Sequence, residues 1–369
     1  MDILKKIIVI ASFLAALMIL MRVLFLGTYP DFDVYYAGSL RLFEGQNPYV
    51  VPRESINYVY PPFTLLFLAP LTLFPLFLAS KIWTILSLLF LFASLLLLSR
   101  ILSMKITSSV FVMITIFSML SFPVKFTLGM GQINLFILLL VLLGVYFLLS
   151  KKNVVSGVFF GTAITLKFFP LLILPYFLLK KKWRVLFYSF VTIASFWLVS
   201  VLFVGWELQL YYVKNVLPGI LNASQAAYYN QALSGFLVRI FGNTSLFDIG
   251  KLIITCVLLV ISFLVIFKRK RKENAIFEIS IIITLSLIVN SFSWQHHFVW
   301  LILPFAVAFR EVTKKGWVEK ITLLIAFFLV AINIKNPGSL PTIAQSHVFF
   351  GTFLLWVLLL HLLIKKQHA

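Results

Sequence analysis

A chain of 369 residues in which 62% are hydrophobic and only 11% charged cannot hide its apolar surface around one aqueous core, so the composition excludes an ordinary soluble protein and implies a polytopic membrane protein. The net charge of +20 does not imply nucleic acid, because the basic residues form short clusters between apolar runs, as cytoplasmic loops do, with no basic groove of their own. The single cysteine, Cys256, lies inside IITCVLLVISFLVIF, which rules out a disulfide framework or thiolate metal site and predicts a small buried hydrophobe.

In chain order, Lys5 and Lys6 precede an apolar run near 7–26 with no small-residue cleavage site after it, which predicts a retained first span. Arg22 stands near its far end. The segment 27–59 reads as a large loop carrying Asp31, Asp33 and the tyrosines Tyr29, Tyr35, Tyr36, Tyr49 and Tyr58, a composition that suits the lipid interface. The run 60–75 opens with Tyr60-Pro61-Pro62 and holds Pro70 and Pro75; prolines interrupt helices, so it is expected to be re-entrant or juxtamembrane. Runs near 79–100 and 107–122 follow, and the turn LGMGQIN (128–134) introduces a run over 132–150. The run 154–179 is interrupted at Lys167-Phe168-Phe169-Pro170 and is expected to be two short helices meeting at that break. After a run at 184–205 comes a second large loop, 206–247, with YYNQALSGFLVR (228–239). Runs near 248–267, 274–291, 295–310, 317–333 and 347–364 complete the chain, with SFSWQHHF (291–298) between two of them. The fold class expected is an all-α bundle of about 10–13 transmembrane helices, in one domain over 1–369.

Positive charge is retained in the cytoplasm. With both termini inside, 21 of the 31 basic residues fall on one side, including Lys151/Lys152, Lys180 to Arg184 and Lys268 to Lys272. The loops 27–59 and 206–247, the turn 128–134, the break 166–170 and the turn 291–298 then all face the other side. Their convergence predicts an extracytoplasmic pocket lined by acid, amide, imidazole and cationic groups.

Individually these residues leave alternatives open. Asp33 reads first as a solvated loop charge. Asp31 and Asp33 form a D-x-D pair that could hold a divalent cation, but two carboxylates are an incomplete shell. Adjacent residues on a helix diverge by about 100°, so His296 and His297 would rarely share one ion; one serves as a phosphate or substrate donor while the other packs. Lys167 either snorkels at a helix end or contacts a phosphate. Gln132 and Asn134 either cap the span that follows or meet substrate. Asn222-Ala223-Ser224 and Asn243-Thr244-Ser245 are sequons, meaningful only in a secretory pathway.

The ordered set DFDVYYAGSLRLFEGQNPY, YVYPP, GQIN, LKFFP, YYNQALSGFLVR and SWQHHFVWLILP, over residue 31 to about 304, resembles glycosyltransferase family 87, the polyprenyl-phosphate-mannose-dependent mannosyltransferases of the GT-C superfamily. The resemblance implies a GT-C-like membrane enzyme with an extracytoplasmic site, a lipid-linked sugar donor, inversion at the anomeric carbon, and an acid of the first outer loop as base. The family's pattern places that acid on Asp31, with Asp33 as the alternate. Where the family's NQSL-like element has a hydroxyl, this chain has Ala232.

The expected reaction moves a hexose, mannose in this family, from polyprenyl phosphate to a lipid or glycan acceptor. Asp31 takes the acceptor's proton, and His297, His296, Lys167, Arg239 and Arg22 are candidates for the donor phosphate. Tyr35, Tyr60, Gln132, Asn134, Asn230, Gln231 and Trp294 are candidates for substrate contact. The scheme calls for no cofactor; a divalent metal is compatible with it but not required. Expected partners are the lipid-linked donor, the acceptor and membrane lipids, with no nucleic acid, and the expected location is a prokaryotic cell membrane. The rival readings are a transporter or flippase of polyprenyl-linked sugars, which predicts inverted repeats not evident between the halves, and a related transferase using another lipid-linked sugar.

Overall fold

The structure, a computed structural model, describes residues 3–50, 58–222, 225–267 and 275–365. Arg53, the basic run 268–272, Lys366 and the last two residues of the first sequon lie outside the described residues. Among those described there is no strand, only an isolated antiparallel bridge between Asn230 and Trp294. That is the expected outcome for a chain with this composition. In hydrocarbon every backbone polar group must be satisfied internally, and an open chain without a closed barrel can do that only as helix.

The first half contains α1 (Ile3–Met21), α2 (Pro30–Phe43), α3 (Pro62–Leu68), α4 (Leu76–Ile101), α5 (Ser109–Leu120), α6 (Phe122–Met130), α7 (Asn134–Leu149), α8 (Asn153–Leu166) and α9 (Ile173–Leu179). The second contains α10 (Trp183–Val204), α11 (Trp206–Tyr211), α12 (Leu217–Leu221), α13 (Leu233–Phe241), α14 (Ser245–Phe267), α15 (Ala275–Val289), α16 (Ile302–Val312), α17 (Trp317–Ala331), α18 (Thr342–Gln345) and α19 (His347–Lys365). Four of these, α4, α10, α14 and α19, are long and apolar enough to cross a bilayer alone. Two bent pairs add to them: the end of α1 with α2, at 43°, and α5 with α6, at 49°. Shorter apolar helices fill the rest of the bundle, among them α7, α8 and α15. The chain is an all-helical, polytopic integral membrane protein.

The prolines shape the short elements. The run expected to be re-entrant or juxtamembrane is α3 continued by a 3-10 turn over Ala69–Leu73, twelve residues in all, too short to span about 30 Å at 1.5 Å per residue. The break at 166–170 is also present. Pro170 has no N–H to donate to the carbonyl four residues back, and the carbonyl of Leu166 instead accepts the hydroxyl of Thr64 at 2.9 Å. Helix α8 therefore stops with Lys167 extended (φ −156°, ψ 120°), and a 3-10 turn over Phe169–Leu172 leads into α9. The first large loop, by contrast, contains a 14-residue helix, because Pro30 starts α2 and supplies the fixed φ that a first helical position favours.

Helix α8 packs on α7 and α10. Lipid tails are as apolar as the side chains, so close backbone approach rather than hydrophobicity joins such helices. Gly157 and Gly161, four apart on one face of α8, provide it: a Cβ on either would stand 2.6 or 2.7 Å from the carbonyl oxygens of Val185 and Ser189 on α10. Cys256, expected to be buried, is exposed on α14. That helix is apolar all round and little buried in the bundle, so its outward residues face lipid instead of core.

At one end of the bundle Glu278, in the first turn of α15, accepts from Lys180 at 2.7 Å and from the Tyr176 hydroxyl at 3.1 Å. Lys180 also reaches the Ile266 carbonyl at 2.7 Å. The last residue of α15 is Val289, after which the chain runs into Ser291–His297. The basic cluster at Lys180 and the polar turn thus lie at opposite ends of α15.

Candidate active site

Asp31 lies in the first turn of α2, where unpaired N–H groups and the helix dipole favour a carboxylate. Its partner comes from the turn between α6 and α7. Helix α6 ends in a left-handed Gly131 (φ 69°, ψ 32°), with Gly131 N–H on the Leu128 carbonyl (3.1 Å) and Gln132 N–H on that of Thr127 (3.0 Å), the Schellman arrangement. Glycine is required twice over here, for the positive φ and because a Cβ would come within 2.6 Å of the Phe32 Cβ. The indole N–H of Trp83 fixes the Gly131 carbonyl at 2.8 Å. This close docking presents Gln132 to Asp31, and the amide N–H donates to Asp31 Oδ2 at 2.6 Å. Asp31 stands at the start of α2, just past the bend of the first bent pair.

The oxygen of the same amide accepts from Tyr35 (2.9 Å), Tyr60 (3.1 Å) and Lys167 (3.4 Å). Lys167 comes from the proline break, only 8% exposed. Its ammonium donates to Asn134 Oδ1 at 2.8 Å and to the Tyr60 hydroxyl at 3.3 Å, and lies 4.9 Å and 5.5 Å from the ring centroids of Tyr60 and Trp300. It does not snorkel. Asn134 in turn donates to the His296 carbonyl (3.2 Å), and its own carbonyl takes the Trp300 indole N–H (2.9 Å). Gln132 and Asn134, which the sequence left between capping and binding, form no side-chain cap and belong to this network.

The two histidines separate in role. His297 lies parallel to Trp300 at 5.3 Å, and its Nδ1 accepts the Trp294 backbone N–H at 3.1 Å. In the neutral ring that leaves Nε2 carrying the proton, as a donor. His297 also lines a cavity of about 620 Å³ together with Tyr60, Lys167 and apolar side chains of the 169–175 stretch, α12 and the end of α15. His296 packs its ring on Phe126 and Trp294, and its Nδ1 is buried without a partner among the described residues. The arrangement is a cation and a ring donor at the polar end of an apolar cavity, with a carboxylate one amide away. Such a site can hold an anionic head on an apolar tail and accept a proton beside it.

Other expected site residues are placed elsewhere. Arg239 donates to the carbonyls of Ala227 (3.0 Å) and Asn230 (2.8 Å) and to Ser346 Oγ (2.9 Å). Gln231 donates to the Tyr228 and Gln345 carbonyls and accepts the N–H groups of Val348 and Phe349. The Asn230 side chain accepts from Ala232 and Ser293 N–H and donates to the Gln225 carbonyl. These three, expected to meet donor phosphate or substrate, instead clasp the loop before α13 to the start of α19 and to the turn at 293. Their bonding capacity is taken up by the backbone that a loop this irregular leaves unpaired. Arg22 is exposed in the 3-10 turn that follows α1. Trp294 stacks on Tyr229 and His296, in contact with the clasp. Asp33 is half-buried, and its carboxylate accepts the Tyr29 backbone N–H at the start of α2. Two positions on a helix differ by about 200°, so Asp31 and Asp33 point to different sides of α2, and one ion would not bridge them as in a paired D-x-D site. Trp300, Trp83 and Thr127, whose hydroxyl donates to the His296 carbonyl at 2.8 Å, were not legible as site residues. The only signal for Trp300 was its place one helical turn after His297.

The sequence profile of glycosyltransferase family 87 matches residues 58–291, a stretch that includes Tyr60, Gln132, Asn134 and Lys167 but neither Asp31 nor His297. The chain is 27% identical over 258 residues to a polyprenol-phosphate-mannose-dependent alpha-(1-2)-phosphatidylinositol pentamannoside mannosyltransferase of Mycolicibacterium smegmatis, covering 68% of this chain and 60% of that one. It is 24% identical over 289 residues to the protein of the same description from Mycobacterium tuberculosis, covering 75% and 65%. The match thus spans less than two thirds of the length of either mycobacterial relative. An alpha-(1->3)-arabinofuranosyltransferase of Corynebacterium glutamicum is 26% identical over 340 residues, covering 89% and 79%. Among solved structures, ArnT from Cupriavidus metallidurans bound to undecaprenyl phosphate superposes with a TM-score of 0.45 at 13% identity, covering 98% of this chain and 78% of that one. The family profile extends over more than half of the residues, and the chain belongs to glycosyltransferase family 87.

Proposed function

We propose that this protein is an inverting glycosyltransferase that moves a hexose, mannose, from a polyprenyl phosphate to a hydroxyl of a lipid or glycan acceptor at the extracytoplasmic surface. The observation that carries the reading is the junction of Lys167, Tyr60 and His297 with an apolar cavity of about 620 Å³, one amide away from the half-buried Asp31 carboxylate. A lipid phosphate needs an apolar channel for its tail and cationic or N–H donors for its oxygens, and this cavity offers both. The names of the mycobacterial relatives support a mannosyl phosphate donor. The distribution of basic residues supports an outer site and cytoplasmic termini.

In the proposed step the acceptor hydroxyl oxygen bonds to the anomeric carbon from the face opposite the phosphate. The carbon–oxygen bond to phosphate breaks, and its electron pair stays on the polyprenyl phosphate. Asp31 takes the hydroxyl proton as general base. Lys167, with His297 as N–H donor, stabilises the charge growing on the departing phosphate. The side chains supply base and charge stabilisation, and the step requires no metal ion, though it is compatible with one.

A second reading has a specific support. The arabinofuranosyltransferase relative is matched over more of its own length than either mannosyltransferase, which favours a pentofuranosyl group in the same scheme. The test is transfer by the purified, reconstituted protein from radiolabelled polyprenyl-phosphate mannose and polyprenyl-phosphate arabinofuranose, with candidate lipid and glycan acceptors and no nucleotide sugar. A mannosylated product of inverted configuration is expected. Label that crosses the bilayer without transfer would overturn the enzyme reading in favour of a transporter, and transfer of arabinofuranose alone would replace the hexose.

A further inference from the structure

Gln132 occupies a position that simple substrate contact does not explain. Its side chain is 2% exposed and its bonding capacity is engaged by four neighbours. The amide N–H meets Asp31 at 2.6 Å, and the amide oxygen meets Tyr35, Tyr60 and Lys167 at 2.9, 3.1 and 3.4 Å. An ionised carboxylate can only accept and an ammonium can only donate. A flipped amide would set oxygen against oxygen and N–H against N–H, so the partners themselves fix its orientation. The main chain beneath it is equally fixed, by the left-handed Gly131, its contact with Phe32, and the Trp83 clamp on its carbonyl.

We propose that Gln132 is a positioning residue of this site, the group that aims the Asp31 carboxylate at the acceptor hydroxyl and holds it in register with Lys167 at the donor phosphate. The inference rests on the reading of Asp31 as base given above. An aspartate side chain on the first turn of a helix has two free torsions, and only one of its oxygens can be presented to an incoming hydroxyl. Engaging Oδ2 with Gln132 leaves Oδ1 for the acceptor. The same amide sets the spacing between base and cation, a distance that must match the span from the acceptor hydroxyl to the phosphate oxygen in the transition state. Among the described residues, the charged and titratable groups around Asp31 are Lys167 from the break after α8, Tyr60 from the stretch before α3 and Tyr35 from its own helix. Gln132 touches all of them.

The test compares the pH dependence of kcat and the KM for the sugar donor in reconstituted full-length protein bearing Gln132→Met, Gln132→Glu or Asp31→Asn. Gln132→Met keeps the volume and removes both polar ends. It is expected to lower kcat about 10- to 100-fold, the range typical for a second-layer partner of a reacting group. The donor KM should hold within about threefold, because Lys167 keeps Asn134. The acid limb of the kcat profile should move to higher pH by about one unit, since the base loses a donor that favours its charged form. Gln132→Glu preserves the acceptor for Lys167 but opposes one carboxylate with another, and should move the limb further in the same direction. An unchanged limb in both variants would overturn the inference, whether kcat is kept or falls alongside thermal stability, since a merely structural role predicts no shift. Failure of the underlying reading is distinguishable: wild-type turnover in Asp31→Asn removes the base itself, whereas an inactive Asp31→Asn beside a wild-type Gln132→Met removes only the role of Gln132.

Discussion

The cluster around Gln132 and the clasp around Gln231 are built from the same kinds of residue, and both are buried amide networks tied to a basic side chain. In the clasp, Asn230, Gln231 and Arg239 bond almost wholly to main-chain groups of the loop 225–232, the turn at 293 and the segment Gln345–Phe349. In the cluster, Gln132, Asn134 and Lys167 bond chiefly to one another and to Asp31, Tyr35 and Tyr60, beside a cavity. A network that satisfies backbone holds the fold in place. One that satisfies ionisable side chains and opens on a cavity can exchange its partners for a ligand's.

The largest effect that should separate the two comes from Asp31. Asp31→Asn is nearly isosteric, and should keep the fold and donor binding while lowering turnover by roughly two to four orders of magnitude, measured as transfer from radiolabelled donor. A general base acts in its deprotonated form, so the wild-type enzyme should lose activity as pH falls.

Next in size are the donor-site variants. Lys167→Ala and His297→Ala should each cost roughly a hundredfold in kcat/KM for the lipid-linked donor, with His296→Ala costing less because that ring lies outside the cavity wall. Near-normal donor use in the first two would return Lys167 and His297 to packing roles and dissolve the contrast with the clasp.

The clasp should respond in stability. Gln231→Ala orphans the N–H groups of Val348 and Phe349 together with two carbonyls, and should destabilise the protein by about 1–3 kcal/mol for each group left without a partner, read by thermal unfolding in detergent. Activity per folded molecule should change far less than in Lys167→Ala. A variant of normal stability but lost transfer would move Gln231 back to substrate.

The smallest effect belongs to Asp33→Asn. Half-buried and pointing to another side of α2, it should leave turnover within about twofold, the scatter of ordinary surface substitutions. Equal damage from Asp33→Asn and Asp31→Asn, with loss of wild-type activity in chelator, would instead mark a metal-binding pair. Sidedness is checked separately, by cysteine labelling on a Cys256→Ser background, with positions 31 and 151 expected to react from opposite sides.

Sequence alone determined a good deal of this protein. Its apolar content required a helical membrane bundle, because hydrocarbon leaves the backbone no other way to satisfy its polar groups. Pro170 fixed the break that delivers Lys167, and the ordered motifs carried the family. These are properties of local chain and solvent, and a string of residues encodes them directly. What only the tertiary structure decided was which polar side chains are tied up and which are available. Gln132 meets Asp31 across about a hundred residues of chain, and Arg239 meets Ser346 over a similar separation. The approach of Gly131 to Phe32, the separation of His297 from His296, and the lipid-facing Cys256 belong to the same class. Hydrogen-bond saturation depends on partners brought together by packing, and residue type and spacing do not specify those partners.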